Sequence, residues 1–250
     1  MGLLTSEIRD TVLGMCGRYA STRSATDLAF LFGAEDETGD GLAADYNIAP
    51  TDPVAMIRIA SSAARVVSPA RWGLVPPWAK DTGGAARMIN ARVETAATSP
   101  AFRRSFERRR CLVPADGWYE WVRADGRKQP YFMTRRDGGV LAFAGLWSVW
   151  GDGLLTCSIL TTAAVGDLVA VHDRMPVLMP PDRWDGWLSA GADPAAVLAP
   201  ATQAMIADLE IRPVGLAVGD VRNDGPGLIE RSPGPSMALL DAESADLTLF

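Results

Sequence analysis

Two periods of apolar and polar positions alternate along the chain. From Ser24 to Phe32 (SATDLAFLF) the apolar residues recur at helical spacing, with serine at the cap position and Gly33 closing the run, which predicts a short helix. Val54 to Ala60 and Ala64 to Ser68 are rich in β-branched residues and separated by three small ones, the pattern of a hairpin. The Gly- and Pro-rich RWGLVPPWAKDTGGAA predicts a loop, and Thr98-Ser99-Pro100 predicts the start of a helix that runs to about Arg109. Strand patterns then dominate: Arg110 to Pro114, Trp118 to Arg123, Pro130 to Thr134, Val140 to Trp147 and Leu154 to Thr162. Turn residues at 124–126 and 137–139 predict that these strands are antiparallel neighbours. Helical spacing returns at Pro181 to Ala190 and Asp193 to Leu209. No repeat and no linker interrupts this order, so the pattern predicts one α+β domain built on a curved antiparallel sheet. Residues 1–14 read as an extension before Met15, the domain as 15–230, and the RSPGPSM composition after Glu230 as the start of a flexible tail, 231–250.

Composition bounds the function. The chain has 250 residues, 48% hydrophobic and 22% charged, enough to bury a full core. No apolar run approaches the roughly 20 residues of a membrane helix, and Glu7, Arg9 and Asp10 interrupt any apolar stretch of a secretory leader. The expected location is therefore the cytoplasm, with no membrane partner. Three cysteines, Cys16, Cys111 and Cys157, lack CxxC spacing, and with His172 as the only histidine they form no tetrahedral zinc set; neither metal nor cofactor is expected.

Net charge is −6, yet it is unevenly spread. Residues 87–136 hold 12 Lys+Arg against 5 Asp+Glu, a local +7, which leaves −13 on the rest. Screening confines charge effects to roughly 10 Å at 0.1 M salt, so such a patch can attract phosphates despite the acidic total; a solvated basic helix explains it equally well.

Four segments place polar groups where a core would not want them: 15–19 (MCGRY), 88–95 (MINARVET), 115–121 (ADGWYEW) and 171–176 (VHDRMP). An extended chain would set Asn90, Arg92 and Glu94 on one face. Glu120, between Tyr119 and Trp121 in an expected strand, would be desolvated among aromatics, which raises a carboxyl pKa and suits acid–base work; alone, an outward Glu120 paired with an arginine is the more common outcome. His172 is the chain's one unperturbed neutral-pH proton shuttle, or else a loop histidine bonded to backbone.

Taken together, MCGRY, YNIAP, RWGLVPPW, INARVET, ADGWYEW, QPYF and HDRMP resemble, in order and spacing over roughly residues 15–230, the SOS response-associated peptidase (SRAP) family. The resemblance implies a single α+β domain with a barrel-like β core and a role in DNA repair. Its members recognise abasic sites in single-stranded DNA and form a covalent thiazolidine crosslink through the cysteine of MCGR once the preceding methionine is gone. Carried over by motif, the catalytic set is Cys16, Asn90, Glu120 and His172. Asn90 would orient sugar and amine, Glu120 would relay protons, and His172 would assist opening of the sugar ring. The DNA-binding set is Gly17, Arg18, Asn47, Pro50, Trp78, Arg92, Trp121, Thr161 and Arg174. Of these, Arg18 and Arg92 would hold flanking phosphates, and Trp78, Trp121, Asn47, Pro50 and Thr161 would line the strand path. The expected partner is single-stranded DNA with abasic sites, the state a monomer, and the location nucleoid-associated. Because residues 1–14 precede Met15, a free amine on Cys16 requires either a start at Met15 or removal of residues 1–15. Ala79 and Pro100 stand where relatives often carry a bulky aromatic and a basic residue.

Two other classes compete. A self-processing or thiol peptidase would use Cys16, His172 and Glu120, and is told apart by whether a peptide other than the protein's own leader is cut. A non-covalent DNA-binding module would keep all activity in Cys16→Ser. Separately, the last residues, DAESADLTLF, are spaced like short peptides that dock on the bacterial sliding clamp, with Leu247, Leu249 and Phe250 entering an apolar cleft.

Overall fold

A computed structural model describes residues 17–39, 41–124, 127–199 and 201–233. Cys16 and the clamp-docking residues Leu247, Leu249 and Phe250 lie outside the described residues. In chain order the elements are β1 (Tyr19–Ser21), α1 (Ala25–Phe32), β2 (Glu35–Asp36), β3 (Asp45–Ile48), β4 (Pro53–Ile59), β5 (Arg65–Trp72), β6 (Asn90–Arg92), α2 (Val93–Ala96), α3 (Arg103–Arg108), β7 (Arg110–Ala115), β8 (Gly117–Ala124), β9 (Arg127–Arg135), β10 (Leu141–Trp150), β11 (Leu154–Ala163), β12 (Arg174–Pro176), α4 (Trp184–Leu188), α5 (Pro194–Val197), α6 (Gln203–Ala207) and β13 (Leu209–Pro213), with short 3-10 turns between some of them.

The expected barrel-like α+β core is present. One sheet runs β13-β9-β8-β1-β3, antiparallel throughout. The second runs β12-β11-β10-β7-β4-β5-β2, and a further pairing of β11 with β5 closes β11-β10-β7-β4-β5 into a five-stranded ring. That closing pair is parallel, as are β2 with β5 and β6 with β11, against the antiparallel sheet expected. The closing pair has a simple cause: strands that alternate in direction around a ring of odd number must repeat a direction once.

The helix at 25–32 matches its sequence signals. The Ser24 hydroxyl accepts from the Asp27 amide at 3.0 Å, and Gly33 sits in the left-handed region with φ 57°. Four expectations are corrected. The helix expected from Ser99 begins only at Arg103; the Ser99 carbonyl accepts from the amides of Phe102 and Arg103, and no side chain caps the helix. The long helix expected at 193–209 is two short ones, capped separately by Asp193 and Thr202, and the sequence between them carries Pro200, which has no amide to donate. The 137–139 turn does not join antiparallel neighbours, because β9 lies in one sheet and β10 in the other; the turn is where the chain changes sheets. Nor does packing stop at Glu230: Val214 bridges Arg231, and the Ser232 amide donates to the Pro213 carbonyl at 2.9 Å.

Candidate active site

β1 and β8 pair in the register Tyr19 with Trp118 and Ala20 with Gly117. Continued by two residues, that antiparallel register sets buried Gly17 opposite Glu120, and the Tyr119 amide donates to the Arg18 carbonyl at 3.0 Å. Gly117 is needed at this corner, since a Cβ there would lie 2.3 Å from the Met133 carbonyl oxygen and 2.4 Å from the Phe132 ring. Asp116 fixes the other side by accepting from the amide and hydroxyl of Thr22.

Glu120 is buried, 5% exposed, inside the strand the sequence predicted. Its surroundings differ from the expectation. Alternation along β8 sends Tyr119 and Trp121 to one face, where they pack with Phe132 and Val218, while Trp118 and Val122 share the opposite face with Glu120. That second face belongs to the core cluster that holds Tyr19, Ile89, Ile159, Val171 and Met175.

Asn90 opens β6, opposite Ile159 of β11, and the preceding Ile89 carbonyl is pinned by the Trp72 indole N–H at 2.9 Å and the Ile159 amide at 2.8 Å. Arg92, exposed, lies opposite Thr161. Glu94 does not continue the extended face expected for it, because α2 begins at Val93. Its carboxylate instead receives both terminal nitrogens of Arg174, at 2.7 and 2.9 Å, which holds its pKa below the usual carboxylate value. Arg174 Nη2 also donates to the Thr161 carbonyl at 2.6 Å.

His172 precedes this strut. Its Nδ1 lies 2.9 Å from the Arg174 amide and 2.9 Å from the Asp173 carboxylate. The neutral ring with its proton on Nε2 satisfies the amide; a protonated ring satisfies the carboxylate. Residues next or near to each candidate, namely Tyr19, Ile89, Trp118 and Val171, belong to one large buried cluster.

The remaining candidates divide by exposure. Arg18 is 4% exposed; its Nη1 donates to Asn47 Oδ1 at 2.8 Å and the Val218 carbonyl at 3.0 Å, and its guanidinium lies 5.8 Å from the Trp121 ring centroid. Asn47, also buried, donates to the Asp220 and Asn223 carbonyls. Both side chains here tie β1 and β3 to the 216–223 segment. In that segment Asp220 is lowered to about 2 by Arg222. Thr161 is fully buried, Pro50 and Trp121 are half-buried, and Trp78 is open to solvent.

Cys111 and Cys157 are free and fully buried. Burial pushes the Cys157 thiol up to about 12 and that of Cys111 well above its ordinary value, so neither is a thiolate at neutral pH. Among the described residues no group of three or more His, Cys, Asp or Glu could hold a metal ion.

The family model for SOS response associated peptidase (SRAP) matches residues 15–221. The chain belongs to the SRAP family. Among its relatives, abasic site processing protein YoqW of Bacillus subtilis is 34% identical over 86% of this chain and 99% of that protein. Abasic site processing protein YedK of Escherichia coli is 34% identical over the same shares, and abasic site processing protein HMCES of Gallus gallus is 29% identical over 85% of this chain and 76% of that protein. The SRAP fold is shared with a solved protein from Bacteroides thetaiotaomicron, at TM-score 0.75 and 22% identity over 87% of this chain and all of that one. A protein from Bordetella bronchiseptica follows at 0.68 and 28%, over 80% and 100%. No helix among the described residues is long and apolar enough to cross a membrane.

The sequence reading missed the Glu94–Arg174 strut. Its signal was the carboxylate four residues after Asn90 and the arginine two after His172, but only the fold makes them neighbours.

Proposed function

We propose that this SRAP protein processes abasic sites in single-stranded DNA by forming a thiazolidine with Cys16, once Cys16 carries the free α-amine. The observation that supports this most is the antiparallel pairing of β1 with β8, Tyr19 opposite Trp118, which continued by two residues puts Gly17 opposite buried Glu120. In this reading Glu120 is the proton relay, and Cys16 precedes Gly17 in sequence. The relatives named as abasic site processing proteins, aligned over 86% of the chain, support the same substrate.

The ring-opened sugar exposes an aldehyde. The Cys16 amine attacks its carbon; with proton transfer the carbinol oxygen leaves as water and an imine remains. The Cys16 sulfur then adds to the imine carbon while the nitrogen takes the thiol proton, which closes a five-membered ring. The sum is aldehyde plus cysteine giving thiazolidine plus water. An α-amine of pKa roughly 7.7–8.0 is about 10–15% free base at pH 7, whereas a lysine of pKa roughly 10.4 is well under 0.1%, so the terminal amine is the better nucleophile. Glu120 protonates the departing oxygen, Asn90 orients sugar and amine, and His172 moves the proton on ring opening. Arg92, the exposed arginine of β6, takes a flanking phosphate, while the Glu94–Arg174 strut holds β12 and α2 beside it. With Cys111 and Cys157 held as buried thiols, Cys16 is left to do the sulfur chemistry.

The test is a denaturing gel of protein mixed with abasic single-stranded DNA. The chain that begins at Cys16 gives a stable adduct and Cys16→Ala gives none; an adduct that survives Cys16→Ala overturns the proposal.

A further inference from the structure

The antiparallel sheet ends at β13, which among the described residues pairs with β9 alone. In such a ladder the backbone groups of alternate residues turn to opposite edges. The Arg136 amide donates to the Asp208 carbonyl at 2.9 Å and the Val214 amide to the Pro130 carbonyl at 3.0 Å, so the even-numbered residues face β9. Leu209, Ile211 and Pro213 therefore turn their backbone groups to the outer edge. An edge of this kind is a template for one more strand.

The chain comes back to that edge. Arg231 bridges Val214 in the antiparallel sense, the Ser232 amide donates to the outward Pro213 carbonyl at 2.9 Å, and the Arg231 side chain reaches along β13 to Glu210 at 2.7 Å. The described residues end at Pro233, with the chain running toward the Leu209 end of β13. Leu209 there lines a groove of about 370 Å³ together with Val140, Leu178, Met179, Trp184 and Met205. The charged groups on the groove are Arg135, engaged with Asp137, and Asp208.

We propose that this edge and groove are the docking surface for the chain's own residues 234–240. Residues 234–236 add a strand to β13, and Met237, Leu239 and Leu240 cover the apolar groove beyond it, the mode by which an extended peptide augments a sheet. The register set by Arg231 and Val214, continued, puts Gly234 opposite Ile211 and Ser236 opposite Leu209. Like Ser232, these are the positions that must donate, and both carry an amide. Pro233 and Pro235 fall on the alternate positions, whose nitrogens point away from β13, where a proline costs the ladder no bond. Each proline also biases the residue before it, Ser232 and Gly234, toward extended backbone. Ser232 to Ser236 is four strand steps, about 13 Å, the same as Pro213 to Leu209, so the apolar stretch Met237 to Leu240 begins where the groove does.

Hydrogen exchange of single amides, followed by NMR on the full chain, tests it. The amides of Ile211, Gly234 and Ser236 are expected to exchange on the order of 10-fold or more slower than in a free chain. Ser236→Pro removes a donor at a bonding position and returns the Ile211 and Gly234 amides to fast exchange. Pro235→Ala changes a position that bonds nothing; it keeps the protection, and its new amide exchanges freely. Leu239→Asp, Leu240→Asp, which empties the groove, speeds exchange at all three amides. Free-chain rates at Gly234 and Ser236 in the wild type, or equal Ile211 protection in the wild type and Ser236→Pro, overturn the proposal. So does protection that is lost on dilution while light scattering shows a dimer, since the edge would then belong to a second copy.

Discussion

Glu120 and Glu94 are two carboxylates with opposite surroundings. Glu120 is almost wholly buried on the inner face of β8, and Glu94 sits in a half-exposed fork with Arg174. The proposed relay predicts that Glu120→Gln slows adduct formation on the order of 10²-fold, the usual worth of a positioned acid–base group, with the final adduct unchanged. Time courses on a denaturing gel across pH measure this, and an unaltered rate at every pH removes Glu120 from the relay. Glu94 yields a prediction on stability. Arg174 lowers its folded-state pKa, so the pair adds stability fully present above the ordinary carboxyl value of about 4.3 and lost as pH falls through the lowered one. Glu94→Gln therefore costs about 1 kcal/mol or less at pH 7, because half-exposed pairs are screened, and the cost vanishes in strong acid. Chemical denaturation at pH 7 and at pH 2.5 checks the sign; an equal loss at both assigns the effect to packing.

At the scale of elements, strands whose signals are local were legible and those made by their neighbours were not. β4, β5, β7, β8, β10 and β11 carry β-branched and aromatic runs bounded by turn residues. β1, β6, β12 and β13 are three to five residues long and owe their extension to pairing with the longer β8, β11 and β9, and four-residue β3 pairs with β1. The face of Glu120 was lost for a similar reason. Tyr119 and Trp121 are its neighbours in sequence, but period-two alternation turns them away, and Trp118 with Val122 become its neighbours in space. The same strand contains the sharpest steric demand. Gly117→Ala drives a methyl into the Met133 carbonyl and the Phe132 ring and is expected to cost about 2–3 kcal/mol, the upper part of the range for overpacking. Equilibrium unfolding measures this; a loss under 0.5 kcal/mol would mean that the β7–β8 corner yields easily.

At the scale of the whole molecule, the candidate groups lie on strands remote in sequence, β6 and β8, and on the residues just before β1 and β12, outside the five-stranded ring itself. The motifs that bear them were visible because each breaks a local rule, with polar side chains inside apolar runs. That their sequence neighbours share one core cluster was not visible, since it depends on β1 crossing to β8 and β6 lying along β11. The charge pattern was legible as a local excess over residues 87–136, but not which of its arginines face solvent. The fold commits Arg110 to backbone carbonyls and Arg135 to Asp137, and leaves Arg103 and Arg104 beside Trp78. The central claim, covalent capture through the Cys16 amine and thiol, is tested most directly by the intact mass of the adduct with an abasic single strand. The account predicts the mass of a chain beginning at Cys16 plus that of the strand, less one water. A stable adduct whose mass retains residues 1–15 would contradict it.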